Sequence, residues 1–300
     1  MDVRHLELLR ELAVRGTLAA VAEATYRTPS AVSQQLRTAE RELGVPLVEH
    51  VGRGVRLTAE GQLLADSADE VGRVLADVRA RLDAARGEPR GRVSIGTLPS
   101  AGTALLPGLI DRLRGSAIEL DIDDFDLAEA HYAARTLDAD VVVAHSLTGD
   151  HPAGTGGLVT RLLAREAIDV LLPADHPLAQ RDRLRPADLR GTRWVGVPRG
   201  YPFDSILAAV ERALDEPLER RVRVRDNQLV AALVGAGVGL ALLPRFTTRL
   251  PPTLVLRPLD GVRSVRSVVA LSRPDRHARL AVRTVVDLLA EVGRELSEAG

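Results

Sequence analysis

Few segments of this chain leave as little choice of structure as the one running from Thr28 to Gly44. Thr28 can accept a hydrogen bond as an N-cap, Pro29 in the first turn gives up no needed amide, and Gly44 followed by Val45 and Pro46 ends the helix. Between those bounds Val32, Leu36, Ala39 and Leu43 recur at i, i+4, i+7 and i+11, so they line one stripe that must bury against neighbouring helices. Ser30, Ser33, Gln34, Arg37 and Arg41 fall opposite. Such a face is chemically equipped to read base edges, since Gln pairs with adenine and Arg with guanine.

The flanking residues supply the rest of a helix-turn-helix. Leu6, Leu9 and Leu12 follow a possible N-cap at Asp2, Gly16 closes that first helix, and Thr17 can cap a short second one from Leu18 to Thr25. A tight turn at Tyr26 and Arg27 leads into the third. After Gly44, Leu47 to His50 and Val55 to Leu57 flank a Gly-rich turn, which reads as a small hairpin, or wing, with Arg53 at its tip. Arg53 and Arg56 suit backbone phosphates. The expected DNA contacts are therefore Thr28, Pro29, Ser30, Ser33, Gln34, Arg37, Arg53 and Arg56.

From Thr58 to about Arg86, Leu64, Ala68, Val71, Leu75, Val78 and Leu82 alternate spacings of four and three, the seam of a coiled coil. A helix of this length is about 40 Å long at 1.5 Å per residue and cannot bury its stripe within a small domain. The same helix of a second subunit is the simplest partner, and packing against the chain's own later domain is the alternative. Residues 87–91, rich in Gly and Pro, mark a hinge.

Beyond Arg92 the pattern changes to short β-rich runs alternating with amphipathic stretches. Strand, helix, strand, helix, strand over 93–97, 104–113, 118–122, 127–137 and 141–144 implies a parallel sheet covered by helices. A second series occupies 167–172, 193–197, 206–214, 221–225, 229–235 and 240–243. The chain then runs through a strand at 265–271 and a helix at 276–296 that return to the first lobe. The fold class is α/β with two lobes. In such sheets ligands sit beyond the carboxyl ends of strands, at helix N-termini. That points to the Thr97 to Thr103 turn, with Thr97, Pro99, Ser100, Ala101, Gly102 and Thr103, and to the loop Pro198, Arg199, Gly200 and Tyr201, where Arg199 could pair with a carboxylate. The small molecule implied is polar or anionic.

Taken together, the chain resembles a LysR-type transcriptional regulator over essentially all 300 residues. The resemblance is carried by residues 16–22, 28–37, 42–47 and 52–61, and less specifically by 173–178 and 237–244. It implies a winged helix-turn-helix at 1–58, a dimerising coiled-coil linker helix at 59–86, a hinge at 87–91, and a two-lobed effector domain like a periplasmic binding protein. Lobe I would hold 92–161 and 267–300, and lobe II 162–266. It further implies a homodimer or homotetramer on a dyad-symmetric promoter site, with RNA polymerase as a further partner. Val48 departs from the Phe usual in the family's wing.

Composition narrows the alternatives. No apolar run is long enough for a membrane span, there is no cysteine, and the first residues lack a signal peptide's pattern, so a cytoplasmic protein is expected. The formal net charge of −1 means that any affinity for DNA must come from charge placed locally. Every basic side chain is Arg. An enzyme is disfavoured: the seven His are scattered without metal spacing, and no Gly-x-Ser-x-Gly elbow occurs. Gly235-Ala-Gly-Val-Gly239 follows a helix and precedes a strand, the reverse of a phosphate cradle, so it reads as a helix stop. His176, between Asp175 and Pro177, reads as a turn residue. No cofactor is expected. A secreted solute-binding protein would account for the two lobes but not for the first ninety residues.

Overall fold

The computed structural model describes residues 2–299 apart from 53, 86–87, 126–130 and 249. The N-terminal unit is α1 (Val3–Arg15), α2 (Leu18–Ala24), α3 (Pro29–Leu43) and a hairpin of β1 (Val48–Val51) and β2 (Gly54–Leu57). Its boundaries follow the caps. The Asp2 carboxylate accepts from Arg4 N, Thr17 Oγ1 from Ala20 N at 3.1 Å and Thr28 Oγ1 from Ala31 N at 3.2 Å, while Gly16 and Gly44 close their helices in the left-handed region. Leu9, Leu12, Val21, Val32, Leu36 and Ala39 are buried together, so the third helix presents its expected stripe to the core; Leu43 packs at its edge.

One expected strand residue behaves differently. Leu47 does not join the hairpin but is fully buried, its amide held by the Glu40 carboxylate at 2.9 Å and its carbonyl accepting from Thr58 N at 3.0 Å. Gly61 passes so close that a Cβ there would lie 2.1 Å from Leu47 O. No side chain fits.

Helix α4 (Ala59–Ala85) begins where Thr58 Oγ1 accepts from Gly61 N at 3.0 Å. It does not present the heptad seam to a single partner. Ala65, Ala68, Ala76 and Ala80 are buried, whereas Val74, Leu75, Val78 and Leu82 are exposed. The small-residue side packs on α1 and on the later domain, where a Cβ at Gly72 would stand 3.1 Å from Asp275 Cβ. Asp69 pairs there with Arg273 at 2.7 Å and with Arg10 at 3.3 Å. Arg15 at the end of α1 reaches Asp138 at 2.6 Å. The chain's own later domain thus takes one side of the helix and leaves the larger apolar side chains uncovered.

That domain is built from β3 (Arg90–Thr97), α5 (Pro99–Arg112), β4 (Ala117–Asp124), α6 (Tyr132–Arg135), β5 (Val141–Ser146) and β6 (Val159–Pro173). There follow β7 (Arg193–Gly196), α7 (Pro202–Leu214), β8 (Glu219–Arg223), α8 (Asn227–Gly235), β9 (Ala241–Pro244) and β10 (Leu254–Arg257). It closes with β11 (Val265–Ser272), α9 (Pro274–His277) and α10 (Leu280–Ala299).

The strands of the first series are parallel as expected, and the seven-stranded sheet that holds them is mixed. β3 pairs in parallel with β4 and β5, but β11 runs antiparallel to both β5 and β6, and β6 antiparallel to β9 and β10. The β6 strand is also far longer than its expected half at 167–172. Its first part carries Arg161, Arg165 and Glu166, which mask a strand that enters one core with Leu163 and Ala164 and the other with Ile168, Val170 and Leu172. Within 127–137 the described residues hold only the four-residue α6; residues 127–130 lie outside the described part. The terminal helix is broken between α9 and α10, where the Arg279 guanidinium turns away to Asp140 and to Arg92 O.

Candidate functional site

The polar face of α3 is solvent-exposed and held in order by its own side chains. Arg37 donates through Nη1 to Ser33 Oγ at 2.7 Å and through Nη2 to Gln34 Oε1 at 2.9 Å, one turn apart on the same face. Thr28 and Ser30 hydroxyls share a hydrogen bond of 3.0 Å at the N-terminus, beside exposed Pro29. Arg56 on β2 is exposed and paired with Glu49 at 2.9 Å. Arg53, expected at the wing tip, lies outside the described residues.

One group was not anticipated. Tyr26, in the turn between α2 and α3, is 99% exposed and held at φ 53°, so a full aromatic ring with a hydroxyl stands in solvent beside the helix. Its ordinary place in a turn hides it in the sequence.

A second site lies between the two cores of the later domain, a cavity of about 440 Å³. The segment read as a turn from Thr97 to Thr103 is mostly the first turns of α5, which starts at Pro99, five residues before the expected helix. Gly102 inside the helix obscured it, and Gly is there because a Cβ would lie 2.9 Å from Thr97 Cγ2. This regularity sorts the candidates. Pro99, Ser100 and Thr103 line the cavity, whereas Thr97 and Ala101 are buried behind them. Thr97 donates its hydroxyl proton to Leu98 O at 3.2 Å and Thr103 to Pro99 O at 2.9 Å.

In the other lobe Tyr201 lines the cavity with the Arg225 guanidinium 5.3 Å from its ring centroid. Pro198, Arg199 and Gly200 do not line it; Arg199 and Gly200 face solvent. The 237–244 segment ends α8: Gly237 takes φ +75°, and at Gly239 a Cβ would meet Arg193 O at 2.6 Å. His176 caps a short turn by accepting from Leu178 N.

Residues far from either predicted loop complete the cavity. Glu166 and Arg266 face each other across β6 and β11, each 1% exposed, joined at 2.7 Å. Glu166 accepts from the amides of Phe246 and Thr247 at 2.8 Å each, so its charge is satisfied on several sides. Arg266 then reaches both lobes, donating to Ser100 Oγ at 3.2 Å and to Thr247 Oγ1 at 2.9 Å. His145 on β5 forms part of the wall, and burial, then the Arg266 charge, push its pKa down to about 3. No local motif marks these residues, because the sheet brings them together from 100 positions apart.

Three helices direct their N-termini at this space: α5 through Ser100, α7 through Pro202 and Phe203, and α8 through Asn227 and Gln228. The first-turn amides of Ser100 and Ala101 have no intrahelical acceptor, and the aligned peptide dipoles favour negative charge. Among the described residues no cluster suits a metal ion, and no helix is long and apolar enough to cross a membrane.

Comparison with known proteins bears on the two units that carry these sites. Residues 3–62 match the family model of the bacterial regulatory helix-turn-helix protein, lysR family, and residues 86–294 that of the LysR substrate binding domain. The chain is 28% identical over 266 residues to the transcriptional dual regulator GltC of Bacillus subtilis, covering 84% of this chain and 86% of the relative. With the small neutral protease regulatory protein of Streptomyces lividans it shares 31% identity over 287 residues, covering 93% and 80%. Full-length OxyR from Pseudomonas aeruginosa has the same fold, with a TM-score of 0.70 at 21% identity over 98% of this chain and 95% of that one. The chain belongs to the LysR family: it is a DNA-binding transcriptional regulator with an effector-binding domain.

Proposed function

We propose that this regulator places α3 in the major groove and takes its instruction from a small polar or anionic molecule held in the cavity between the lobes. Ser30, Ser33, Gln34 and Arg37 contact base edges; Thr28, Pro29, Arg53 and Arg56 contact the backbone, joined by Tyr26. On the effector side Pro99, Ser100, Thr103 and Tyr201 contact the ligand. Arg266 fixes Ser100, and the free amides of Ser100 and Ala101 support the anion, with Gly102, whose amide is bonded to Leu98 O, behind them. Thr97 acts from behind, and the Pro198 to Gly200 loop frames Tyr201. The observation that carries this reading is the convergence of the α5 N-terminus, through Ser100, and of Arg266 on one cavity between the two cores.

The same reading makes the chain a homodimer or homotetramer acting in the cytoplasm on a dyad-symmetric promoter site, where it engages RNA polymerase. The exposed Val74, Val78 and Leu82 supply an apolar surface for a second copy of α4. Footprinting on DNA upstream of its own gene tests this directly. A protected, two-fold symmetric site whose affinity falls steeply with salt is expected. A monomer with no preference among DNA sequences would overturn it.

A further inference from the structure

His145 sets an imidazole ring in the cavity wall. It is 6% exposed and sandwiched at 6.1 Å centroid distances between Tyr132 behind it and Phe203 of the other lobe. Its Nδ1 is sealed in the core with no hydrogen-bond partner among the described residues, so the edge left for contact is the one at the cavity. A sealed N–H without an acceptor is rarer than a sealed lone pair. The neutral ring therefore carries its proton on Nε2 and offers a donor to the cavity.

Ser100 stands on the same lobe, since β3 and β5 run in parallel with Thr97 opposite Val143, and it donates as well. Ser100 Oγ accepts from Arg266, which leaves its own proton free, whereas the Thr103 hydroxyl is already committed to Pro99 O. Beside Ser100 stand the unfilled amides of the first turn of α5. The two donating ends differ in kind. The α5 end has a helix N-terminus and a guanidinium behind it and tolerates a full negative charge. His145 is an uncharged donor among aromatic rings, and a neutral carbonyl oxygen is the acceptor that suits it.

We infer that the effector is a small oxo-carboxylate, its carboxylate on Ser100 and the α5 amides and a separate, uncharged carbonyl oxygen accepting from His145 Nε2–H. This rests on the cavity being the effector site. His145 is thereby the group that selects among acids of similar size.

The test is calorimetric titration of the full-length protein with hexanoate, phenylacetate and their oxo-substituted counterparts, beside ¹⁵N NMR of histidine-labelled protein. The expected spectrum shows His145 protonated on Nε2 alone. At least one oxo acid should bind more tightly than its parent by about 2- to 10-fold, the worth of one hydrogen bond. His145→Leu should remove that preference, and His145→Gln, whose amide can donate from the same place, should restore part of it. Ser100→Ala should weaken parent and oxo acids alike. A proton on Nδ1, no binding by any acid of the set, or a preference that survives His145→Leu overturns the oxo-carboxylate assignment. Acid binding that persists in both Ser100→Ala and the cavity-filling Ala231→Trp places the ligand elsewhere and fails the cavity reading itself.

Discussion

The face of α3 and the cavity between the lobes are both polar, yet their groups are satisfied in opposite ways. On α3 the side chains of Ser33, Gln34 and Arg37 bond to one another in full contact with water. Exchanging those bonds for bonds to a duplex costs little, because solvent already competes for each of them. At the cavity Arg266, and Glu166 behind it, are locked out of water, while His145 Nδ1 and Thr248 Oγ1 are left without partners among the described residues. There every change of partner is expensive. A surface that must sample many DNA sites is built from cheap bonds, and a pocket that must discriminate among small molecules from costly ones.

The sharpest way to break that contrast is Glu166→Ala. It strands a buried guanidinium and should cost about 3–5 kcal/mol in urea unfolding of the effector domain. A variant as stable as wild type would mean that the pair is not the buried anchor described. Next in size, Arg37→Ala should weaken binding to the protected DNA site by about 1–3 kcal/mol, read by fluorescence anisotropy, with no shift in the unfolding midpoint. Unchanged affinity would dismiss this face as the reader.

His145 gives a smaller effect with a definite sign. Its pKa is about 3 in the folded chain against 6.5 unfolded, so below pH 6.5 the unfolded state binds the extra proton and stability falls as the pH falls. Relative to His145→Gln, wild type should lose stability with a limiting slope of about 1.4 kcal/mol per pH unit. Parallel curves between pH 6.5 and 5 would show the imidazole titrating freely. The smallest effect belongs to Arg15→Ala. The Arg15 to Asp138 pair is partly solvated, so stability should change by only about 0.2–1 kcal/mol, with faster hydrogen exchange at the end of α1 as its signature.

The same contrast explains what the sequence made legible. Asp2, Gly16, Thr17, Thr28 and Gly44 act on residues two to four positions away, so the helices of the DNA-binding unit can be read along the chain. Ser100 and Tyr201 could be found because both stand where a strand hands over to a helix. Glu166, His145, Thr247 and Arg266 could not. Each sits in or beside a β-run, and only the strand order β6, β11, β5 sets them around one space. The seam of α4 was legible only in part for a related reason: spacing reports that Ala68 and Leu75 share a stripe, but not that Ala68 is buried while Leu75, Val78 and Leu82 stay open to solvent.

The length of β6 has a mechanical corollary. Because this one strand runs without interruption through both cores, paired to β11 in one and to β9 and β10 in the other, the lobes are joined by a laminated strip and not by slack tethers. Opening or closing the cleft must twist that strip about the Glu166 to Arg266 rung, like torsion in a leaf spring. A ligand that shifted one lobe against the other would have to work against that resistance.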